Sequence, residues 1–276
     1  MRPSRLLPVL AGVCVLGLAV TFLVALHTAQ GVHDDAALYR HVSGNAALPV
    51  KAAGHRALVA LDLGAVVLAT VLLAGIALVR RRVGRALAAV TVVVASFGSA
   101  EALKHGLGHL GGAIPAGRPA TFPSGHTSIA VSLGLALVLA APPVLRPTAA
   151  LLGAAYGAGI GLAVIVLGWH YPSDVVGSFF VCGFWAAVAG TLLGDVPRRP
   201  QLSAAAVLVA AAAVAAALFG AAVLAQRHPG AMEAARSARS VVATAGLLGV
   251  LSLALFAAVT PLVGERPRGP EPSGHA

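Results

Sequence analysis

Apolar runs of about twenty residues, the length a helix needs to cross the hydrocarbon of a bilayer, recur along most of this sequence. Windows of that length pick out eight stretches: 7–26, 57–79, 85–103, 126–145, 149–169, 174–194, 203–225 and 240–262. A chain that is 58% hydrophobic and only 10% charged over 276 residues cannot hide that much apolar surface in one water-soluble core. Its solvent must be largely lipid, and the expected fold is an all-α, polytopic transmembrane helix bundle.

The formal net charge of +10 comes from 19 basic residues against 9 acidic ones. The basic residues fall mainly between the apolar runs, as in loops lying against phospholipid headgroups, so membrane lipids and not nucleic acid are the expected partners. Arg80, Arg81, Arg82 and Arg85 cluster between the second and third runs, and Arg2 and Arg5 precede the first, which places both groups in the cytoplasm. With eight spans, Arg146, Arg198, Arg199, Arg266 and Arg268 also fall inside, giving 11 basic residues there against 8 outside. Arg227, Arg236 and Arg239, in the last outer loop, run against the rule. The N-terminus reads as a retained first span; the alternative is a signal peptide cleaved near Ala29. Cys14 and Cys182 each lie within an apolar run, which excludes a disulfide scaffold and a cysteine metal site. The seventh run holds no ionisable residue and reads as a packing or lipid-facing helix. The tail Gly264–Ala276, rich in Pro and charge, reads as disordered.

On this topology two polar connections reach the same outer face. The first, Lys104 to Gly125, holds Lys104, His105, His109, Arg118 and the run Thr121-Phe122-Pro123-Ser124-Gly125-His126; the second is Gly168-Trp169-His170-Tyr171-Pro172-Ser173-Asp174. Each runs directly into an apolar helix. A helix start exposes unpaired N–H groups and a partial positive charge, so Ser124-Gly125-His126 can cradle an anion, with Gly125 allowing close approach. Lys104 supplies a compact positive charge and Arg118 a planar fork suited to phosphate oxygens. A histidine on either side of a phosphoryl group offers a nucleophile and a proton donor, and Asp174, four residues after His170, can fix the tautomer of that ring. No carboxylate cluster suited to a divalent ion accompanies them. Charge neutralisation by Lys and Arg, with no cofactor, is expected instead.

Other readings attach to the same residues. His126 and His170 could simply cap helices at the membrane boundary. His105 and His109 have metal-ligand spacing on a helix, but Gly106 and Gly108 disfavour a regular helix there, so a structural or phosphate-loop role is expected. Asp62 lies in an apolar run, where an ionisable group is a functional candidate, yet near enough to its outer end to be interfacial. Glu101 reads as the partner of a basic neighbour. Trp169 and Tyr171 fit an interfacial aromatic belt as well as substrate contact.

Over residues 57–195 the sequence resembles the type 2 phosphatidic acid phosphatase family, whose site is shared with the vanadium haloperoxidases. The family pattern is a Lys followed at a distance by Arg-Pro, then Pro-Ser-Gly-His, then Ser-Arg followed by His and, four positions on, Asp. Pro123-Ser124-Gly125-His126 and the His170/Asp174 pair are intact here. The resemblance implies that His170 attacks phosphorus, Asp174 orients it, and His126 protonates the leaving oxygen. Lys104, Arg118, Ser124 and the Gly125 amide would hold the phosphate oxygens, and water would hydrolyse the phosphohistidine. Two departures stand out. Lys104 and Arg118 are separated by thirteen residues, more than the family's usual spacing, and the Ser-Arg pair falls on Ala163 and Val164. Losing one cation that grips a transition state costs on the order of 3–4 kcal/mol. A slow enzyme is implied, or one in which Arg40, Lys51 or Arg56 takes the missing place.

The expected organisation is a first span with an outer loop over 1–56, a phosphatase-like core carrying the site over 57–195, two added spans over 196–263 and the tail, so that the first six spans make a six-helix core and the last two are added to it. The expected function is that of a multi-pass cell-membrane phosphatase with its site on the extracytoplasmic side. It would act on a lipid phosphomonoester or pyrophosphate: an isoprenyl pyrophosphate, phosphatidic acid or phosphatidylglycerol phosphate. A silent lipid-phosphate-binding or transport protein, or a lipid phosphotransferase, are the alternatives. A haloperoxidase is disfavoured because those relatives are soluble.

Overall fold

The computed structural model describes residues 6–109, 114–192 and 232–260. Every regular element among them is a helix: α1 (Leu6–His27), α2 (Ala29–Asn45), α3 (Leu48–Val59), α4 (Leu63–Val79), α5 (Val83–His109), α6 (Gly125–Ala140), α7 (Arg146–Val166), α8 (Pro172–Leu192) and α9 (Met232–Val259). Five helices are long and apolar enough to cross a membrane, or six if the bent α3–α4 pair counts as one span. The polytopic helical bundle expected from the sequence is present. The run 203–225 and the tail lie outside the described residues.

Four elements depart from the sequence expectation. The stretch read as an outer loop forms α2 and α3. Thr28 caps α2, its side chain accepting from Gly31 N, and Pro49 sits in the first turn of α3. Both are too short and too polar for a twenty-residue apolar window to detect. The run 57–79 is broken, with α3 and α4 meeting at a 63° bend. Asp62 makes that break: it is exposed, and its carboxylate accepts from Ala65 N at 2.7 Å as the N-cap of α4. The run 126–145 ends early, α6 stopping at Ala140 before the 3-10 turn Pro143–Leu145. Finally, α5 continues through Gly106 and Gly108, so Lys104, His105 and His109 are helical. The packing of α5 against α6 and α8 outweighs the glycine propensity.

α6 occupies the centre, packed by α4, α5, α7 and α8 and buried along almost all of its length. Small residues let its neighbours approach closely: a methyl built on Gly153 of α7 would lie 2.9 Å from the Gly134 Cα of α6 and 2.5 Å from Phe256 of α9. At its C-terminal end, Arg80 and Arg85 donate to the carbonyls of Ala140 and Leu139, satisfying groups that a helix leaves unpaired. The basic cluster and Arg146 thus gather at the end where α6 stops and α7 begins. At the other end are the start of α6, the end of α7, the start of α8 and the last turns of α5. α1 runs antiparallel to α8, with Leu7 beside Gly190 and Phe22 against Phe122, so its C-terminus lies at this second end too.

Candidate active site

The second end of the bundle is built by two chain reversals tied to each other. Gly168 ends α7 in the left-handed region, at φ 74°, which a residue with a Cβ adopts only at a cost. The reversal returns the amides of Trp169 and His170 to the Val164 carbonyl, and Tyr39 of α2 donates to the Gly168 carbonyl at 2.8 Å. Pro172 then opens α8. Across from it, Ser124 caps α6, its hydroxyl accepting from Thr127 N and Thr127 Oγ1. The Ser124 amide donates to the Asp174 carbonyl at 3.0 Å, and Ser178 Oγ bonds both the Ser124 and Asp174 carbonyls. The Pro-Ser-Gly-His and His-x-x-x-Asp segments are therefore joined through their backbones.

His170 is buried, with Nδ1 3.2 Å from Asp174 Oδ2. Asp174 has no exposed surface, and its carboxylate also takes the Tyr171 amide at 3.0 Å and Arg118 Nη2 at 2.8 Å. An ionised carboxylate can only accept, so the His170 Nδ1 carries a hydrogen and Nε2 is the ring nitrogen turned away from Asp174. His126 is half-buried, its ring 5.6 Å from that of Trp169 and within electrostatic range of His170, Lys104 and Glu101.

Arg118 is the most constrained cation. Its Nη1 meets Asp35 at 2.7 Å, and Nη2 reaches Ser173 Oγ as well as Asp174. The guanidinium lies 3.8 Å over the Tyr171 ring, which stacks on Tyr39. Burial raises the Tyr171 phenol above its ordinary value, against the opposing pull of Arg118, so the ring stays neutral. Arg118 Nε is buried with no partner among the described residues. Lys104 Nζ pairs with Glu101 Oε1 at 2.6 Å, beside Gly125 at the head of α6. Ser124, expected on phosphate oxygens, turns its hydroxyl into the protein as a cap and is fully buried, which leaves the amides of Gly125 and His126 as the donors of this turn with no partner among the described residues.

The structure thus brings His170, Asp174, His126, Arg118, Lys104, Ser124 and Gly125 to one end of the bundle. It does not bring His105 or His109 together on a ligand: each ring bonds the carbonyl four residues back in α5, at 2.8 and 2.7 Å. Nor does a substitute fill the third-motif position. Val164 is buried in the core, and Gly54 of α3 packs against Ala163. Arg40 and Arg56 are exposed, Lys51 is half-buried, and none of the three bonds to His170, Asp174 or Arg118.

Residues 89–198 match the PAP2 superfamily. Neither the curated proteins nor the solved structures contain a match to the chain. The PAP2 match supports phosphatase-type activity on phosphate esters in general, in a protein whose apolar helices suit a membrane.

Two contributors lie outside the matched region and escaped the sequence reading. Asp35 of α2 takes Arg118 on one oxygen, while its carboxylate also accepts from Ser173 N at 3.0 Å and Ser173 Oγ at 2.6 Å. Tyr39, one helical turn on, holds the Gly168 carbonyl and the Tyr171 ring. Their i, i+4 spacing was the available signal, because it puts a buried acid and an aromatic on one face of an otherwise polar helix. Removing one partner of a buried ion pair costs about 3–5 kcal/mol, since the other charge stays buried and unpaired. Asp35→Ala leaves Arg118 with Asp174 as its one carboxylate, and is expected to destabilise the protein by less than that full amount. Combined with Arg118→Met, the double variant should lose clearly less than the sum of the single losses in thermal unfolding. Additive losses would show that the pair is not coupled.

Proposed function

We propose that the protein hydrolyses a phosphomonoester or pyrophosphate of a membrane lipid through a phosphohistidine on His170. The observation that carries this reading is the His170–Asp174 pair, buried and fixed in tautomer by Arg118 and Tyr171 N, on the end of the bundle that also holds His126 and the α6 N-terminus. His170 Nε2 forms the bond to phosphorus as the bond to the lipid oxygen breaks, and His126 gives that oxygen its proton. Water, giving a proton back to His126, then attacks phosphorus as the bond to Nε2 breaks, releasing inorganic phosphate and restoring the Nε2 lone pair. The Gly125 and His126 amides, Lys104 and Arg118 Nε supply positive charge to the phosphoryl oxygens, the work a metal ion does elsewhere. With Val164 in the third-motif position, turnover runs about 10²–10³ below that of a site with the extra donor.

A lipid substrate is supported by the setting, since the site lies where five or six apolar helices end and its His126 ring neighbours Trp169, an exposed aromatic of the kind enriched at headgroup level. Phosphatidic acid, phosphatidylglycerol phosphate and an isoprenyl pyrophosphate all carry the required group. The buried Val164 favours a second reading, a silent protein that binds lipid phosphate without releasing it; a phosphotransferase would instead need an acceptor in place of water.

Purified protein is expected to release phosphate from at least one lipid of such a panel with EDTA present, and His170→Ala to abolish the release. Release that survives His170→Ala would sink the histidine mechanism, and lipid-phosphate binding without release would establish the silent reading. The basic cluster at the opposite end of α6 supports a site facing away from the cytoplasm. An impermeant thiol reagent on intact cells should then label Ala116→Cys and spare Val144→Cys; the reverse pattern would invert the orientation.

A further inference from the structure

Both cations of the site already face carboxylates. Arg118 lies between Asp35 and Asp174, and Lys104 lies on Glu101, so two positive side chains meet three negative ones. A phosphate dianion entering this site finds the Lys104 ammonium and both terminal nitrogens of Arg118 already on carboxylates, and must displace one of those carboxylates to meet more than the Arg118 Nε and the amides of Gly125 and His126. Asp35 and Asp174 are poorly placed to yield, being buried and each held by three donors: Ser173 N, Ser173 Oγ and Arg118 for the first, His170, Tyr171 N and Arg118 for the second. Glu101 differs on each count. Its side chain is 30% exposed and, among the described residues, its carboxylate is held by Lys104 Nζ alone.

Its position is also particular. A methyl group built on Gly125 would lie 2.5 Å from Glu101 Oε1 and 3.6 Å from Lys104 Nζ. Carboxylate, ammonium and the first residue of α6 therefore converge on one spot, at the positive end of a helix. An ordinary i, i+3 pair on a helix face has no such third participant.

We propose that Glu101 is the resident anion of the phosphate cradle, one that competes with inorganic phosphate and so favours departure of the product. The inference rests on reading the site as one that binds phosphate esters. A lipid phosphate is confined to the same membrane as the protein, and that confinement raises its effective concentration enough to move the Glu101 carboxylate aside. Freed phosphate has no such anchor, and the tethered carboxylate replaces it. Glu101 is thus a specificity-determining residue that discriminates anchored from free phosphate.

Two readouts on the purified full-length chain test this. One is the apparent Kd of inorganic phosphate, from its shift of the unfolding midpoint. The other is inhibition of lipid-phosphate turnover by added phosphate, followed as dephosphorylated lipid. In Glu101→Gln both should tighten roughly tenfold, the combined effect of removing a charge from a helix N-terminus and from a partly exposed ion pair. Glu101→Ala should move the same way. Unchanged or weaker phosphate binding in either folded variant would overturn the proposal and make Glu101 a residue that orients Lys104. Failure of the phosphatase reading would show differently, as a wild-type protein with no His170-dependent turnover, and the binding measurement would still decide the role of Glu101.

Discussion

The Asp174 carboxylate is the point on which the site depends. It is fully buried at the first turn of α8, where it takes His170 Nδ1, the Tyr171 amide and Arg118, while its backbone carbonyl takes the Ser124 amide. A charge taken out of water is costly unless every lone pair finds a donor, so Asp174 is tolerated only because α2, the Arg118 loop, the end of α7 and the start of α6 all converge on it. The same requirement organises the chemistry. Satisfying that one acceptor fixes the tautomer of His170 and brings the Pro-Ser-Gly-His turn against it.

This arrangement assigns the two predicted phosphate cations to different work. Arg118, with both terminal nitrogens committed to carboxylates and its face on Tyr171, acts first as a rigid bridge, and its Nε has no partner among the described residues. Lys104 is held more loosely, on a partly exposed side chain that can exchange one anion for another. Rigid and exchangeable contacts thus sit side by side. A phosphatase needs both, because the nucleophile must stay fixed while phosphate comes and goes.

Much of this was legible in the sequence. The apolar runs gave the fold class, since nothing but a membrane accommodates them, and the four-residue spacing of His170 and Asp174 placed both on one face of a helix start. What escaped did so for physical reasons. α2 is too short and polar to register as a span, and its value lies in Asp35 meeting Arg118 across 83 positions of chain, a contact no local pattern encodes. The α3–α4 break depends on Asp62 capping, which an apolar window averages away. Ser124 was read as a phosphate ligand because its position in the motif suits one, yet the cap of α6 claims its hydroxyl. His105 and His109 have the spacing of ligands but bond their own helix.

Trapping the covalent intermediate tests the central claim most directly: a single turnover on a lipid phosphate, quenched under alkaline conditions, with the phosphoryl group located by peptide mass spectrometry. The geometry predicts an acid-labile phosphoryl group on His170. A phosphoryl group carried by any other residue would contradict it.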